Sequence, residues 1–302
     1  MKKVSFYPHD GSTTQRSGSE VLAGLDKIIF PSNKWIKRWD MLVLVDLMLL
    51  SFLIPYELGV SAGYLTLESI SFLIFRIFLN GVLAVDTFLY FFRAFRHENS
   101  GQVEMNLRVI RNEYLRTWFV PNLLASLPYT LVFYFTGKWI LEKETVWEAT
   151  DKDRKYILLL KLAECLRLLR LYRPNSILQR SDGIVEFRQK RSNTYEIIMN
   201  MIFIVLLSHW FACIWAFVGH MGATSLEGEG ILQKNNWIHT WYEQNYVKGG
   251  PYPIGLENHL DRYVISLFWA IQTITSIGYG NISPVTRLEW WTGCALQLIA
   301  GM

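Results

Sequence analysis

Residues 275–281, Thr-Ser-Ile-Gly-Tyr-Gly-Asn, interrupt an apolar helical pattern with two glycines spaced two apart. A loop of this kind suits cation chemistry carried by the main chain. A cation crossing a membrane must exchange its water shell for protein oxygens, and stacked backbone carbonyls from several copies of such a loop supply them. Gly278 and Gly280 can take the positive φ angles that turn successive carbonyls to one axis, which a Cβ would resist. The candidate ion-binding set is therefore Thr275, Ser276, Ile277, Gly278, Tyr279 and Gly280, with Ser276 keeping a hydroxyl beside its carbonyl. Trp269, expected to brace Tyr279 from behind, and Asn281 are assigned as supports of this run.

A second set of residues carries charge. Lys155, Lys161, Arg167, Arg170 and Arg173 share one three-residue register, with Leu158 and Glu164 on the two remaining steps and Leu or Ile dominating between them. Charges inside a bilayer are costly, so a regular ladder implies a response to the transmembrane field. A three-residue step winds such a ladder into a spiral on an α-helix, whereas a 3₁₀ segment aligns it along one face. Lys161, Arg167, Arg170 and Arg173 against Glu164 leave three net positive charges per chain. Moved through the whole field in four chains, they would contribute roughly 28 kcal/mol per 100 mV, at about 2.3 per charge. The competing reading is an amphipathic helix on the cytosolic leaflet, but its period would be 3.6 residues. Glu164 is expected to pair within its own helix with Lys161 or Arg167, and Pro174 to end or kink the helix. Moving cations need buried acids on neighbouring spans. Asp86 is the stronger candidate countercharge and Asp46 the second, with static pairing for assembly as the alternative. Asn122 reads as an interhelical hydrogen-bonding residue.

The elements that must position these groups are membrane-length helices. The 302 residues are 51% hydrophobic and 15% aromatic, and a bilayer core needs about 20 apolar residues per helix. Five spans meet this, at 40–60, 64–92, 117–137, 156–178 and 195–219. A sixth begins near Leu288 and reaches Met302 after about fifteen residues, fewer than the roughly 20 that cross a bilayer. A fragment is expected, with an inner pore mouth and any cytosolic C-terminal domain lying beyond Met302. The expected fold is an all-α membrane protein with six transmembrane helices, the sixth truncated. A cytosolic segment (1–38) precedes a four-helix sensor domain (39–178), a linker (179–194) and a pore domain (195–302).

Basic residues cluster at 1–38 and 93–116, while the first-to-second connection has none. The positive-inside rule then places the N-terminus in the cytosol and segment 220–258 outside. The net charge of +4 thus reflects membrane topology rather than a nucleic-acid surface. The first thirty residues lack the apolar core of a signal peptide. Cys165, Cys213 and Cys294 all fall inside spans and read as packing residues. Residues 259–275 read as a short re-entrant helix whose negative C-terminal end favours a cation. One chain cannot close a ring of carbonyls, so four copies around an axis are expected.

Four stretches resemble the branch of six-helix voltage-gated cation channels that holds ether-à-go-go, cyclic-nucleotide-gated and hyperpolarisation-activated channels. They are Phe30-Pro31 with Trp39-Asp40, Ala84-Val85-Asp86 with Phe91-Phe92-Arg93, Ser208 to Trp215, and the Gly-Tyr-Gly run. The resemblance implies a voltage-gated potassium channel subunit of the plasma membrane, assembled as a homo- or heterotetramer, with potassium ions as the permeating species and no cofactor. It implies Asp86 as the sensor's intracellular countercharge and Leu83 at the occluding position. Asn122 stands where the family usually has aspartate. A region beyond Met302 would carry cyclic-nucleotide or other cytosolic control, and the short 180–194 connection implies a sensor packed beside its own pore segment.

Ser276 and Asn281 resemble ether-à-go-go filters rather than the cysteine and arginine of hyperpolarisation-activated channels. A mixed sodium/potassium channel of that branch, or of the cyclic-nucleotide-gated one, is the alternative. A non-conducting regulatory subunit is the second. A secondary transporter would show related halves, which are absent from the sequence, and no nucleophile–base or phosphate-loop pattern suggests an enzyme. His209 has no second histidine at ligand spacing nearby and reads as a packing residue.

Overall fold

A computed structural model of the chain describes residues 28–30, 33–61, 69–95, 103–143, 159, 161–172, 189–224, 236–242, 244 and 259–301. Among them every regular element is helical, and an isolated parallel bridge joins Ile29 and Arg93. In chain order come α1 (Lys34–Gly59), α2 (Ile70–Leu89) with a 3₁₀ turn (Tyr90–Phe92), α3 (Leu107–Thr117), α4 (Phe119–Ser126) and α5 (Tyr129–Lys143). A 3₁₀ segment (Cys165–Tyr172) follows, then α6 (Ser192–Thr224), α7 (Trp237–Tyr242), α8 (His259–Ile274) and α9 (Arg287–Ala300).

Four stretches, Lys34–Gly59, Ile70–Phe92, Phe119–Lys138 and Ser192–Gly219, are long and apolar enough to cross a membrane. They coincide with the expected first, second, third and fifth spans. The third is broken where the sequence suggested one helix: Pro128 offers no N–H and holds Leu127 extended, at φ −60° and ψ 145°, so α4 stops and α5 restarts. The basic second-to-third connection contains a helix of its own, α3, capped by the Asn106 side chain accepting from the Arg108 N–H.

The α1–α2 interface follows helical periodicity. Val43, Leu47, Leu50 and Ile54 form one stripe on α1 and pack on Leu79, Val82 and Leu83 of α2, with Leu168 and Leu171 of the 3₁₀ segment beside them. Met41, Leu42, Val45 and Leu49 are exposed on α1, as a lipid-facing surface allows. At the start of α1, Asp40 receives both terminal nitrogens of Arg93, one at 2.8 Å. There the 28–30 segment runs beside residues 92–94, with Ile29 N donating to Phe92 O at 2.8 Å and Ala94 N to Ile29 O at 3.1 Å.

Helix α6 joins α1 to α8. Pro55 has no N–H for the Ser51 carbonyl four residues earlier, and Trp210 takes its place by donating Nε1–H to Ser51 O at 2.9 Å. The next carbonyl, of Phe52, lies 2.9 Å from His209 Nε2. A carbonyl only accepts, so Nε2 carries the proton and Nδ1 accepts the Tyr263 hydroxyl at 2.8 Å. His209 is thus a bolt between three helices, in keeping with a packing role. Gly59 lets α1 and α6 touch, since a Cβ there would overlap the Cys213 carbonyl. First and fifth spans of the same chain are therefore neighbours, the arrangement that the short 180–194 connection implied.

Asp40 and Arg93 are both nearly fully buried. Asp40→Ala leaves the guanidinium without its carboxylate, and the expected loss is about 3 kcal/mol of stability. A thermal unfolding midpoint in detergent that matches wild type would refute the pairing.

Candidate functional site

The charged segment turns from α-helical geometry at 161–164 to 3₁₀ geometry over Cys165–Tyr172. Three residues per turn bring Arg167 and Arg170 onto one face, the arrangement a three-residue ladder needs to meet fixed partners in sequence. Lys161, Glu164, Arg167 and Arg170 are each at most 2% exposed. Arg173, Lys155 and Pro174 lie outside the described residues.

Arg170 is held by α2 and α4. Its Nη1 donates to Leu83 O at 3.0 Å and Asp86 Oδ2 at 3.4 Å. Its Nη2 donates to Thr87 Oγ1, to Asn122 O at 3.0 Å and to Ser126 Oγ at 2.9 Å. Asp86 also accepts the Trp39 indole N–H at 3.3 Å. Asp86 and Arg170 are thus brought together, while Leu83 contributes its carbonyl. Asn122 also meets Arg170 through its carbonyl. Its side-chain nitrogen donates to the Tyr114 hydroxyl at 3.2 Å, linking α4 to α3 as an interhelical hydrogen-bonding residue should. That hydroxyl in turn donates to Thr87 O at 3.2 Å, and burial pushes the Tyr114 phenol above its usual range, keeping it a neutral donor. Asp46 sits on the same buried stripe of α1, 2% exposed, with neither carboxylate oxygen hydrogen-bonded among the described residues.

Arg167 uses the break in the third span. Its Nη2 donates to Leu127 O at 3.2 Å and its Nη1 to Thr130 Oγ1 at 2.9 Å, with the guanidinium 5.6 Å from the Tyr129 ring centroid.

Glu164 keeps its expected contact with Lys161 but meets a closer partner outside the ladder. Its Oε2 lies 2.7 Å from Arg76 Nη2, a stronger contact than the 3.7 Å to Lys161, and its Oε1 accepts from Thr130 Oγ1 at 3.0 Å. The cause is Arg76, a wholly buried cation on α2 that also meets Glu57 of α1 at 3.1 Å. Lys161 completes the group, 3.2 Å from Glu57 and 3.8 Å from the Phe133 ring centroid. Sequence reasoning passed over Arg76 and Glu57. A lone arginine inside an apolar run was the available signal, since an intramembrane charge requires a partner.

The second site follows α8. Ser276, Gly278 and Gly280 have φ of 57°, 59° and 73°, so every second residue is left-handed. The glycines take this conformation as expected; Ser276 takes it despite its Cβ. The N–H groups of Ile277 and Gly278 donate to the Gln272 carbonyl at 2.9 and 3.3 Å, and that of Tyr279 to Gln272 Oε1 at 3.2 Å. In a trans peptide the preceding carbonyl points opposite to the N–H. The carbonyls of Ser276, Ile277 and Gly278 therefore face away from α8. Gln272 Nε2 reaches Asn281 Oδ1 at 3.4 Å and closes the bracket. Gln272 was also missed, because a polar residue in an amphipathic helix carries no mark of which loop it will meet.

Trp269 has a different neighbour from the one expected. It is buried and stacks on Trp215 of α6, centroids 3.9 Å apart and planes within 7°, whereas the Tyr279 ring lies parallel to Phe268 at 6.0 Å. Phe268 and Trp269 are consecutive, so about 100° of helix rotation puts the two roles on different faces of α8. Glu289, buried in the first turn of α9, accepts from the N–H groups of Trp237, Val285 and Thr286 at 3.2, 2.7 and 3.0 Å, tying α7 to the loop that leaves residue 280.

A sequence profile of the family described as Ion transport protein matches residues 36–300. The chain is similar to the rat voltage-gated delayed rectifier potassium channel KCNH1, 25% identical over 271 residues, which cover 87% of this chain and 25% of the relative. It is 26% identical over 275 residues to human voltage-gated delayed rectifier potassium channel KCNH5, again 87% of this chain and 24% of the relative. The potassium voltage-gated channel protein eag of Drosophila melanogaster is 25% identical over 266 residues, 87% of this chain and 20% of that protein. The chain thus spans about a quarter of the length of the curated relatives it matches.

Gln272→Leu keeps the apolar bulk and removes the amide. The expected result is faster hydrogen exchange at the Tyr279 amide by about tenfold, from loss of one acceptor worth roughly 1.4 kcal/mol. Unchanged exchange would refute the bracket.

Proposed function

The chain belongs to the ion transport protein family, and on that premise we propose that it is a voltage-gated potassium channel subunit whose ion-binding set is Thr275 to Gly280. The observation that carries the reading is the row of carbonyls at Ser276, Ile277 and Gly278 turned away from α8 by the Gln272 bracket. Residues 275–280 are all exposed in the single chain. Bare backbone at membrane depth is tolerated only when it is enclosed by protein or lines a watery path. Four copies around an axis satisfy that requirement, and each α8 then directs its negative C-terminal end toward the ions.

Voltage control enters through the ladder. Lys161, Arg167, Arg170 and Arg173 carry the sensing charge within the 39–178 domain, and the pore is built from 195–302. Asp86, already in contact with Arg170, is the inner countercharge. Asp46 is the second, placed on the stripe of α1 that the segment passes. The tetramer sits in the plasma membrane with its N-terminus in the cytosol. The relatives named above are voltage-gated potassium channels, which supports the potassium and voltage-gating parts of this reading.

In swapped sodium and potassium solutions the reversal potential of the expressed channel is expected to follow potassium. Equal response to sodium would replace this reading with a mixed-cation channel. Arg170→Gln is expected to remove up to about one sensing charge per subunit, or roughly 2.3 kcal/mol per 100 mV, and so to flatten the conductance–voltage curve. An unchanged slope would sink the sensor assignment.

A further inference from the structure

The outer charge group contains an inversion. Along the ladder the segment presents cations, yet at Glu164 it presents an anion, and the helix facing that position, α2, presents a cation in return. Glu57 and Arg76 are 0% exposed, Glu164 1% and Lys161 2%, so these charges meet without solvent between them. We propose that Glu164 and Arg76 form a charge-inverted rung, in which Glu164 travels with the segment as a sensing anion and Arg76 is the fixed cation that selects the register of the segment. The proposal rests on the sensor reading above and adds a residue of opposite sign to it.

A shift of one ladder step, three residues, displaces the segment by roughly 6 Å where it is 3₁₀ and by about 4.5 Å along the α-helical turn at 161–164. An inward step brings Lys161 to the place of Glu164, opposite Arg76, and carries the Glu164 carboxylate to the site of Arg167. That site offers the Leu127 carbonyl, an oxygen that only accepts, beside the Thr130 hydroxyl that Glu164 already holds in the observed register. An outward step brings Arg167 opposite Arg76 and moves Glu164 to the site of Lys161, where the Glu57 carboxylate lies. Both steps set like charges against each other in a buried space, where screening by water is weakest. The observed register instead pairs Arg76 with Glu164 at 2.7 Å and Lys161 with Glu57 at 3.2 Å. Glu164 also subtracts from the charge the segment moves, because it faces the field with opposite sign.

Gating currents from the full-length channel test this. Glu164→Gln keeps a hydrogen-bonding side chain and is expected to raise the charge moved per tetramer by up to about four elementary charges. Arg76→Gln changes no moving charge. It is expected to leave the charge moved as it is and to shift the equilibrium between sensor positions by at least about tenfold, since it strips a buried partner. The double neutralisation Arg76→Gln with Glu164→Gln leaves Glu57 paired with Lys161 and is expected to bring that equilibrium back toward wild type, with the charge moved as high as in Glu164→Gln. If the single variants fail to reach the cell surface, recovery of surface labelling in the double neutralisation supports the pairing and its absence overturns it. Unchanged gating charge in Glu164→Gln, alongside a decrease in Arg170→Gln, would overturn the inverted rung and leave the sensor reading intact. No change in either variant would bring down both. Purely additive effects of the two neutralisations would show that the residues do not act as a pair.

Discussion

A charge taken out of water must find an opposite charge or a set of dipoles to replace the solvent, and much of the packing between α1 and the 3₁₀ segment answers that demand. Arg170 is met by one carboxylate, two hydroxyls and two main-chain carbonyls drawn from α2 and α4. Thr87 and Ser126, 2.6 Å apart, tie those helices together at the same point, so the groups that solvate the guanidinium also join its housing. Arg76 performs the same service in reverse, holding acids from α1 and the charged segment. Asp40, Asp46 and Glu57 all lie buried along α1 with Val43, Leu47, Leu50 and Ile54. One face of α1 is thus apolar enough to pack and acidic enough to accept cations.

The main chain obeys the same rule. A proline at 55 orphans the Ser51 carbonyl, and the Trp210 indole satisfies it. A proline at 128 breaks the third span and turns the Leu127 carbonyl to Arg167. Where the chain leaves α8, Gln272 collects three successive N–H groups and frees the carbonyls on their other side. In each case an irregular backbone, unfavourable in hydrocarbon, persists because one identified residue completes it. Irregularity and function coincide here for that reason.

Much of this was legible in the residues. Hydropathy located the crossing helices, the Gly-Tyr-Gly run marked the loop after α8, and the three-residue spacing marked the charged segment before its 3₁₀ geometry was seen. Asp86 stood out as an acid in an apolar run and does meet Arg170. Arg76 and Glu57 satisfy the same criterion and were passed over, because attention to a ladder of cations favours a search for fixed acids. Gln272 offered no comparable signal. Its role depends on the loop folding back along α8, a contact that neither helical period nor composition encodes.

The sequence by itself determined the kind of molecule: membrane-length apolar runs, a glycine-punctuated loop and periodic charge are local patterns, and local chemistry dictates them. Only the tertiary structure decided partners. It gave Glu164 a closer partner in Arg76 than in its ladder neighbour Lys161, set Trp269 against Trp215 rather than Tyr279, and brought Trp210 to the carbonyl freed by Pro55. Each choice joins residues from different helices. Such pairings are settled by which faces meet and which buried groups still lack a partner, and periodicity along one chain segment holds no record of either.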